Sequence, residues 1–335
     1  MTGDTLGGMH AVIMNETGGP EVLTWGEIAT PEPAPGEVRV RIAHAGVNPA
    51  DWKNRQGMLA AFRPYVFPYV LGFDAAGVVD ALGEGVTGFS VGDRVVTPTN
   101  HGQGAQGSYA EYAVAAVDRV APIPDGLGYA QAAALPVAAL TAWQALQHNG
   151  GLQAGQQVLV HGGSGGLGGF AVQFARAAGA RVAATCSTAN VDYLRDLGVD
   201  RVIDYVTEDV TAVVREWAPE GLDLLVNTAG ASTLAHGLDL VRSGGAFVSI
   251  PTLVDDGDIP ADVAAAAGRG IERVYSMMTD VDCAPALATI AEMVVAGVVR
   301  LPEIREYDVR DAAAAHEAIQ TGHTRGKIVL KVADL

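Results

Sequence analysis

The chain's 335 residues, 49% of them hydrophobic, are enough for two ordinary domains with a sizeable core, and the formal charge of -17 argues against nucleic-acid or anionic-membrane surfaces. Two cysteines, Cys186 and Cys283, exclude a disulfide scaffold or a four-cysteine zinc lobe and read as small apolar fillers in a reducing setting. No apolar run reaches the length of a membrane span, and the opening MTGDTLGGMH lacks the charged and apolar regions of a secretory signal. Residues 1–9 are therefore expected to be a flexible tail on a cytoplasmic protein.

The first third reads as β-rich. Ala11–Met14, Leu23–Trp25 and Glu37–Ile42 form short strands, separated by Gly18-Gly19-Pro20 and by the proline-rich turn 31–36. Gly77–Val79, Asp93–Val96 and Tyr109–Val114 continue the pattern, which predicts a compact, barrel-like β domain. After Pro124-Asp125-Gly126 the character changes, and Tyr129–Gln147 is alanine-rich and helical. Strands and helices then alternate. Strands are expected at Val158–Val160, Val182–Thr185, Val202–Tyr205, Leu222–Asn227, Ala246–Ile250 and Ile271–Met277. Helices are expected at Asn190–Leu197, Glu208–Trp217 and Thr233–Val241. That rhythm implies an α/β fold with a doubly wound, six-stranded parallel sheet. Helices near Cys283–Ala296 and Asp311–Gln320 and a strand at Lys327–Val332 complete the chain.

The informative stretch is 156–185. Strand Val158–Val160 runs into a glycine-rich turn, His161 to Gly168, then a helix from Phe170 to Ala178 stopped by Gly179, then a second strand. Read as G-x-G-x-x-G, the glycines are Gly163, Gly165 and Gly168, with Gly166 and Leu167 between the last two. One permits the tight turn, one lets backbone approach a pyrophosphate, and one lets helix and strand pack closely. The helix directs its free N–H groups and positive dipole end at the phosphates. Such a pattern in strand–turn–helix–strand context predicts a dinucleotide site; the alternative is a purely structural turn.

The residues also carry a resemblance. AGVNPADWKNRQG (45–57), the stretch 68–96, GSYAEYAV (107–114), ALPVAALTAWQAL (134–146), the glycine turn and HEAIQTGHTRGKIVLKV (316–332) together resemble the zinc-independent quinone oxidoreductase branch of the medium-chain dehydrogenase/reductase superfamily. The resemblance implies a GroES-like catalytic domain (1–126), a Rossmann domain (127–279), a C-terminal return to the first domain (280–335), an active site between domains and a homodimer. Zinc alcohol dehydrogenases of this superfamily carry a cysteine where this chain reads Gly46-Val47-Asn48, and Gly-His-Glu where it reads Gly72-Phe73-Asp74. Three well-placed metal ligands are thus missing, and none of the eight histidines forms a ligand motif. His316 and His323 flank a helix end and are expected to be solvated.

The cofactor expected is NADPH. The end of the second strand carries Ser187 and Thr188 rather than the acid that binds ribose hydroxyls in NAD-specific sites. Their hydroxyls can donate to a 2′-phosphate or cap the following helix. Tyr205 matches a family position that contacts the phosphate. A lysine common in the family is Val191 here, with Arg195 the candidate replacement. Thr141 and Lys327 match positions near the cofactor, although Lys327 can equally be a solvated residue opening the last strand. Asn227 and Ile250 end the fourth and fifth strands where loops reach the nicotinamide, with a strand-end cap as the other reading of Asn227.

In the family, Asn48 and Asp51 of N-P-x-D shape the cleft beside the nicotinamide. Lys53 stands where many members have tyrosine, and either polarises a carbonyl and donates a proton or is an exposed partner of Asp51. The segment Met58–Tyr69, with Phe62, Tyr65 and Phe67, is pocket or local core. Without a Lewis acid, hydride transfer to a quinone or an enone β-carbon is easier than alcohol oxidation, because product charge is already delocalised. The expectation is an NADPH-dependent quinone or enone reductase. A tailoring enoyl reductase and an NADPH-binding protein without turnover are the alternatives.

Overall fold

The computed structural model describes residues 7–61, 64–99, 106–276, 282–322 and 326–335. Residues 1–6 of the expected tail, Phe62, Met277 and His323 lie outside these. The chain divides into two compact units, Met1–Val137 with Asp282–Leu335, and Ala138–Val281.

The first unit opens with β1 (Gly8–Met14), β2 (Thr24–Ala29) and β3 (Glu37–Val47), followed by α1 (Pro49–Arg55). The tail is shorter than expected, since Gly8 pairs with Ala29 and Met9 is wholly buried. Helix α1 had no counterpart in the sequence reading. It begins with Pro49 at its first position, where the missing N–H costs nothing. Next come β4 (Tyr69–Val70), β5 (Asp74–Leu82), β6 (Arg94–Pro98), β7 (Tyr112–Ala116), β8 (Ala121–Pro122) and α2 (Tyr129–Ala133). The expected helix over 129–147 is broken. Pro136 instead opens α3 (Pro136–Trp143), which runs into a wider π turn at Gln144–Asn149. Helix α2 packs on β3 and β5, so residues 127–137 belong with the first unit rather than opening the second.

In the second unit the strands are β9 (Gln157–His161), β10 (Arg181–Cys186), β11 (Arg201–Asp204), β12 (Leu222–Asn227), β13 (Val241–Ser249) and β14 (Glu272–Tyr275). Between them lie α4 (Gly168–Ala177), α5 (Val191–Asp196), α6 (Val210–Trp217) and α7 (Ile259–Ala267). All six strands are parallel, in the order β11-β10-β9-β12-β13-β14. In chain order this is 3-2-1-4-5-6, the doubly wound arrangement whose ligand crevice opens between the first and fourth strands. The expected helix at Thr233–Val241 is replaced by two short 3₁₀ turns, Ser232–Leu234 and Gly237–Leu240, and Val241 already belongs to β13. Gly237 contributes to this as a poor helix former, and it is held to glycine because a Cβ there would meet the Phe247 ring at 2.8 Å.

The chain then returns to the first unit with α8 (Cys283–Val295), β15 (Ile304–Asp308), α9 (Ala312–Gln320) and β16 (Lys327–Lys331). Strand β16 lies between β15 and β3 in a seven-stranded sheet, β15-β16-β3-β5-β6-β8 with β7 also on β3. A three-stranded sheet, β2-β1-β4, completes the unit. Both cysteines are buried and unbridged. Among the described residues no helix is long and apolar enough to cross a membrane.

Leu159, wholly buried at the centre of the second unit's core with Ala183, Leu225 and Phe247, is the natural probe of that core. Leu159→Ala is expected to cost about 2–5 kcal/mol in urea unfolding, whereas Val206→Ala, at a residue 63% exposed, stays within about 0.5 kcal/mol.

Candidate active site

Each unit contributes its own polar constellation. In the second unit the glycine turn follows β9 at its carboxyl end, beside the loop after β12, because His161 and Asn227 are in register. The left-handed residue is Gly162, with φ of +84°, and not Gly163. A Cβ on Gly162 would also lie 2.5 Å from the Thr228 hydroxyl. The tight-turn role thus moves one residue upstream of the expected pattern. Gly163 is needed for packing, since its Cβ would lie 2.8 Å from that of Ala184. Gly168 starts α4 so close to the turn that a Cβ would meet the Gly162 carbonyl oxygen at 2.2 Å. Gly165 is different: the nearest atom to an added Cβ is 3.4 Å away. Gly166 and Leu167 lead into the helix, and Leu167 accepts the first N–H bonds from Phe170 and Ala171. The turn itself is pinned by Gly163 N–H to Thr185 O (2.9 Å) and Gly165 N–H to Gly162 O (3.1 Å).

His161, which the sequence reading passed over, locks this turn. The Thr233 hydroxyl donates to Gly230 O, so it accepts from His161 Nε2–H at 3.0 Å. That leaves Nδ1 as acceptor for the Thr185 hydroxyl, 2.9 Å away, while Thr185 Oγ1 accepts Gly162 N–H. Burial pushes the imidazole down to about 4, so it is neutral.

At the second strand's end the hydroxyls are already committed. Thr188 donates to Asp204 Oδ2 at 2.7 Å, and Ser187 Oγ accepts from Asn190 Nδ2 at 3.2 Å. Asp204 ends β11 opposite Cys186. An acid therefore stands at this corner after all, supplied by the third strand. The Thr188 hydroxyl and Val206 N–H hold its pKa below the usual carboxylate range. Beside it lies a cavity of about 490 Å³ bounded by Thr188, Val191, Asp192, Arg195, Arg201 and Asp204. Arg201 pairs with Glu208, and Arg195 with Asp192 at 2.9 Å on an open surface. Tyr205, 54% exposed, directs no side chain into the core. Asn227 caps its own loop, donating to Gly230 O and accepting Ala229 N–H, and Ile250 N–H reaches back to Asn227 O. Thr141 is buried in α3.

The first unit holds a cluster of buried charge. Lys327, at the start of β16, donates to Asn48 Oδ1 (2.6 Å) and Val47 O (3.3 Å) and lies 3.8 Å from Asp74 Oδ2. It is 5% exposed and not the solvated residue of the alternative reading. A lysine only donates, so the Asn48 amide is fixed with its oxygen toward Lys327 and its nitrogen toward Asp74 Oδ2, 2.8 Å away. The other Asp74 oxygen accepts Val137 N–H. Burial raises the Asp74 pKa and lowers that of Lys327, and each opposes the other's shift by its charge. Gly46 makes room: a side chain there would meet Asp74 Oδ2 at 2.6 Å and Ala133 O at 2.4 Å.

Asp51 is also wholly buried. Its oxygens accept Asn48 N–H (2.8 Å) and Gly72 N–H (3.1 Å), which sets the start of α1. Burial, reinforced by the Asp74 charge, pushes its pKa up to about 8 against these two donors and Lys327. Lys53 is 9% exposed, with its ammonium 5.4 Å from the Trp52 ring centre, so the exposed-lysine alternative is corrected. Tyr65 donates to Asn54, and its ring stacks on Phe67 and meets Tyr69 edge-on, so these members of 58–69 form local structure. His316, expected in solvent, is wholly buried in α9. Among the described residues no group of three His, Cys, Asp or Glu side chains is arranged to hold a metal ion.

Comparison with known proteins gives this geometry its lineage. A family profile described as "Alcohol dehydrogenase GroES-like domain" matches residues 34–125, and one described as "Zinc-binding dehydrogenase" matches 197–330. Human quinone oxidoreductase is 32% identical over 96% of this chain and 97% of its own length. The chain belongs to the quinone oxidoreductase branch of the medium-chain dehydrogenase/reductase superfamily. A 2-haloacrylate reductase from Burkholderia is 31% identical over 96% of this chain and 98% of that protein. The chloroplast envelope quinone oxidoreductase homolog of Arabidopsis thaliana reaches 41% over 61% of this chain, a match spanning 64% of the relative's length, just under two thirds. Among solved structures, the quinone oxidoreductase from Coxiella burnetii superposes with a TM-score of 0.86 at 29% identity, covering 98% of this chain and all of that one. A mycobacterial chain complexed with NADPH gives 0.83 at 29% identity, covering 97% of this chain and all of that one. The branch is the zinc-independent one. In this member the corresponding stretches read Gly46-Val47-Asn48 and Gly72-Phe73-Asp74, with Phe73 in the place of the histidine, and both Asp74 oxygens are engaged within the protein.

Two expectations follow. Gly168→Ala forces backbone apart and should cost about 2–4 kcal/mol in urea unfolding, whereas Gly165→Ala should stay within about 1 kcal/mol. His161 titrates near 6.5 when unfolded and near 4 when folded, so the unfolded chain takes up its proton first and stability falls as pH drops through that window. Its share of the loss between pH 7 and pH 5 is about 2 kcal/mol, and urea titrations of His161→Gln should lack that share.

Proposed function

We propose that this chain is an NADPH-dependent, zinc-independent reductase that transfers hydride to a quinone or an α,β-unsaturated carbonyl. The observation that carries the reading is the turn Gly162–Gly168, at the switch point of a 3-2-1-4-5-6 parallel sheet and at the start of a ten-residue helix. Gly165 fits a pyrophosphate, because the space a Cβ would take is open while the turn around it is rigid. When bound there, the dinucleotide supplies the hydride. The backbone N–H groups of Gly166 and Leu167 and the dipole of α4 would hold its phosphates, with Gly163 and Gly168 keeping the turn closed. Thr141, Asn227 and Ile250 shape the nicotinamide end, and Asn48 offers an amide whose orientation Lys327 and Asp74 fix. Lys53, on the same helix as Asp51, serves as the proton donor to the reduced product.

For the 2′-phosphate, Tyr205 and Arg195 are the groups we assign, with Ser187 at the strand end. Thr188 acts indirectly, by keeping the Asp204 carboxylate turned inward. Arg195 is 66% exposed and paired with a still more open Asp192, so it can be recruited at little cost. The relative named for quinone reduction supports a quinone acceptor, and the one named for haloacrylate reduction supports an activated double bond, which favours the tailoring enoyl reductase as the second reading. The homodimer is carried as part of this proposal, and sedimentation tests it.

NADPH oxidation against quinones and enones, with NADH alongside, tests the whole. Turnover with NADPH preferred is expected; binding without turnover across the panel overturns the reductase. Arg195→Ala should lower kcat/KM for NADPH about tenfold while NADH changes less than twofold. Equal losses with both cofactors would remove Arg195 from the site. Gly165→Ala should fold yet bind NADPH at least tenfold more weakly.

A further inference from the structure

A second buried chain of polar groups runs away from Asp51. Arg55, wholly buried at the end of α1, places Nη1 3.2 Å from His316 Nδ1. Its other nitrogens donate to Gly18 O (3.1 Å) and Gln320 Oε1 (3.0 Å). His316 Nε2 lies 3.1 Å from the Tyr109 hydroxyl, and Asp51 is close enough to raise the pKa of that hydroxyl. Tyr109 and His316 are both wholly buried.

Chemistry fixes the direction of every bond. Guanidinium has donors only, so His316 Nδ1 must accept. Burial and the Arg55 charge drive the His316 pKa down to about 3, so the ring is neutral and carries its hydrogen on Nε2. Nε2–H therefore donates to the Tyr109 oxygen, and the Tyr109 proton is left to point at Asp51. Burial and the charges of Asp51 and Asp74 push the Tyr109 pKa well above its ordinary value, which keeps that proton in place. Asn48 N–H and Gly72 N–H already donate to Asp51, and Tyr109 O–H is left as its third donor. A protonated Asp51 would find only the Tyr109 oxygen as acceptor, and Tyr109 would lose its own.

We propose that Tyr109 and His316 are positioning residues which, anchored by Arg55, form a one-way donor chain that biases Asp51 toward its carboxylate form. The charged and titratable groups acting on Asp51 are Asp74 from β5, Lys327 from β16 and Tyr109 from the segment before β7; His316 from α9 and Arg55 stand behind Tyr109, and Lys53 shares the helix of Asp51. Glu21 and Glu317 act on Arg55 from outside. The consequence for turnover rests on the reductase reading of α1, whereas the protonation of Asp51 does not.

The test therefore measures Asp51 itself. Infrared titration of the full chain follows its carboxylic C=O stretch, assigned by loss in Asp51→Asn. Tyr109→Phe, which removes one oxygen, should raise the midpoint by about one pH unit or more. His316→Leu should shift it the same way. His316→Gln keeps an acceptor toward Arg55 and a donor toward Tyr109 and should titrate with the wild type. In the wild type, NMR of nitrogen-labelled histidine should show His316 protonated on Nε2, a check that needs no variant beyond the one used for assignment. A Tyr109→Phe midpoint equal to the wild type, or a proton on Nδ1, overturns the proposal. NADPH turnover of the wild type is read separately: its absence removes the reductase reading and leaves tautomer and titration to decide this one.

Discussion

Burying Lys327 beside Asn48, Asp74 and Asp51 is the constraint on which the first unit depends. An ammonium or a carboxylate taken out of water costs several kcal/mol unless it is paired and hydrogen-bonded. Here the pairing also connects distant parts of the sequence. Lys327 comes from the last strand, Asn48 from the end of β3, Asp74 from the start of β5, and the Asp74 carboxylate further anchors Val137. Removing one partner would strand a charge, so the residues act as a set. Gly46 belongs to it although it has no side chain, because the space a side chain would need is taken by Asp74.

That arrangement also shows what a metal-free member of this superfamily does with the region. Where its zinc-dependent relatives have a cysteine and a Gly-His-Glu, this chain has Gly46-Val47-Asn48 and Gly72-Phe73-Asp74, and the local cation is an ammonium. It has directional hydrogen bonds and no vacant coordination site. Such a group can orient an amide and balance carboxylates. It makes a poor Lewis acid.

Much of the fold was legible in the sequence. Each of the six parallel strands was located because buried strands in such a sheet are short apolar runs between helices. The failures have physical causes. The break at Pro136 was missed because the alanine-rich run hid a proline at a helix start, and the helix expected at 233–241 contains Gly237, a poor helix former. Gly162 and Gly163 are adjacent and offered two registers for one pattern; only the backbone dihedral distinguishes them. Thr188 was read along its own strand, and its partner Asp204 lies on the neighbouring strand, out of reach of a linear pattern. His316 was misplaced, but a signal existed. Ala312, Ala315, His316 and Ile319 fall at the spacing of one buried helix face, which marks the histidine as interior.

The place of β16 in the sheet bears on how the chain is made. Synthesis runs from the amino end, so every described residue of the second unit leaves the ribosome before β16 does. The second unit's sheet has all its strands at that point, but β3 still lacks a neighbour and Asp51 and Asp74 still lack Lys327. The first unit, though begun first, is completed last, and until then it carries an open sheet edge of the kind that makes incomplete folds prone to aggregation.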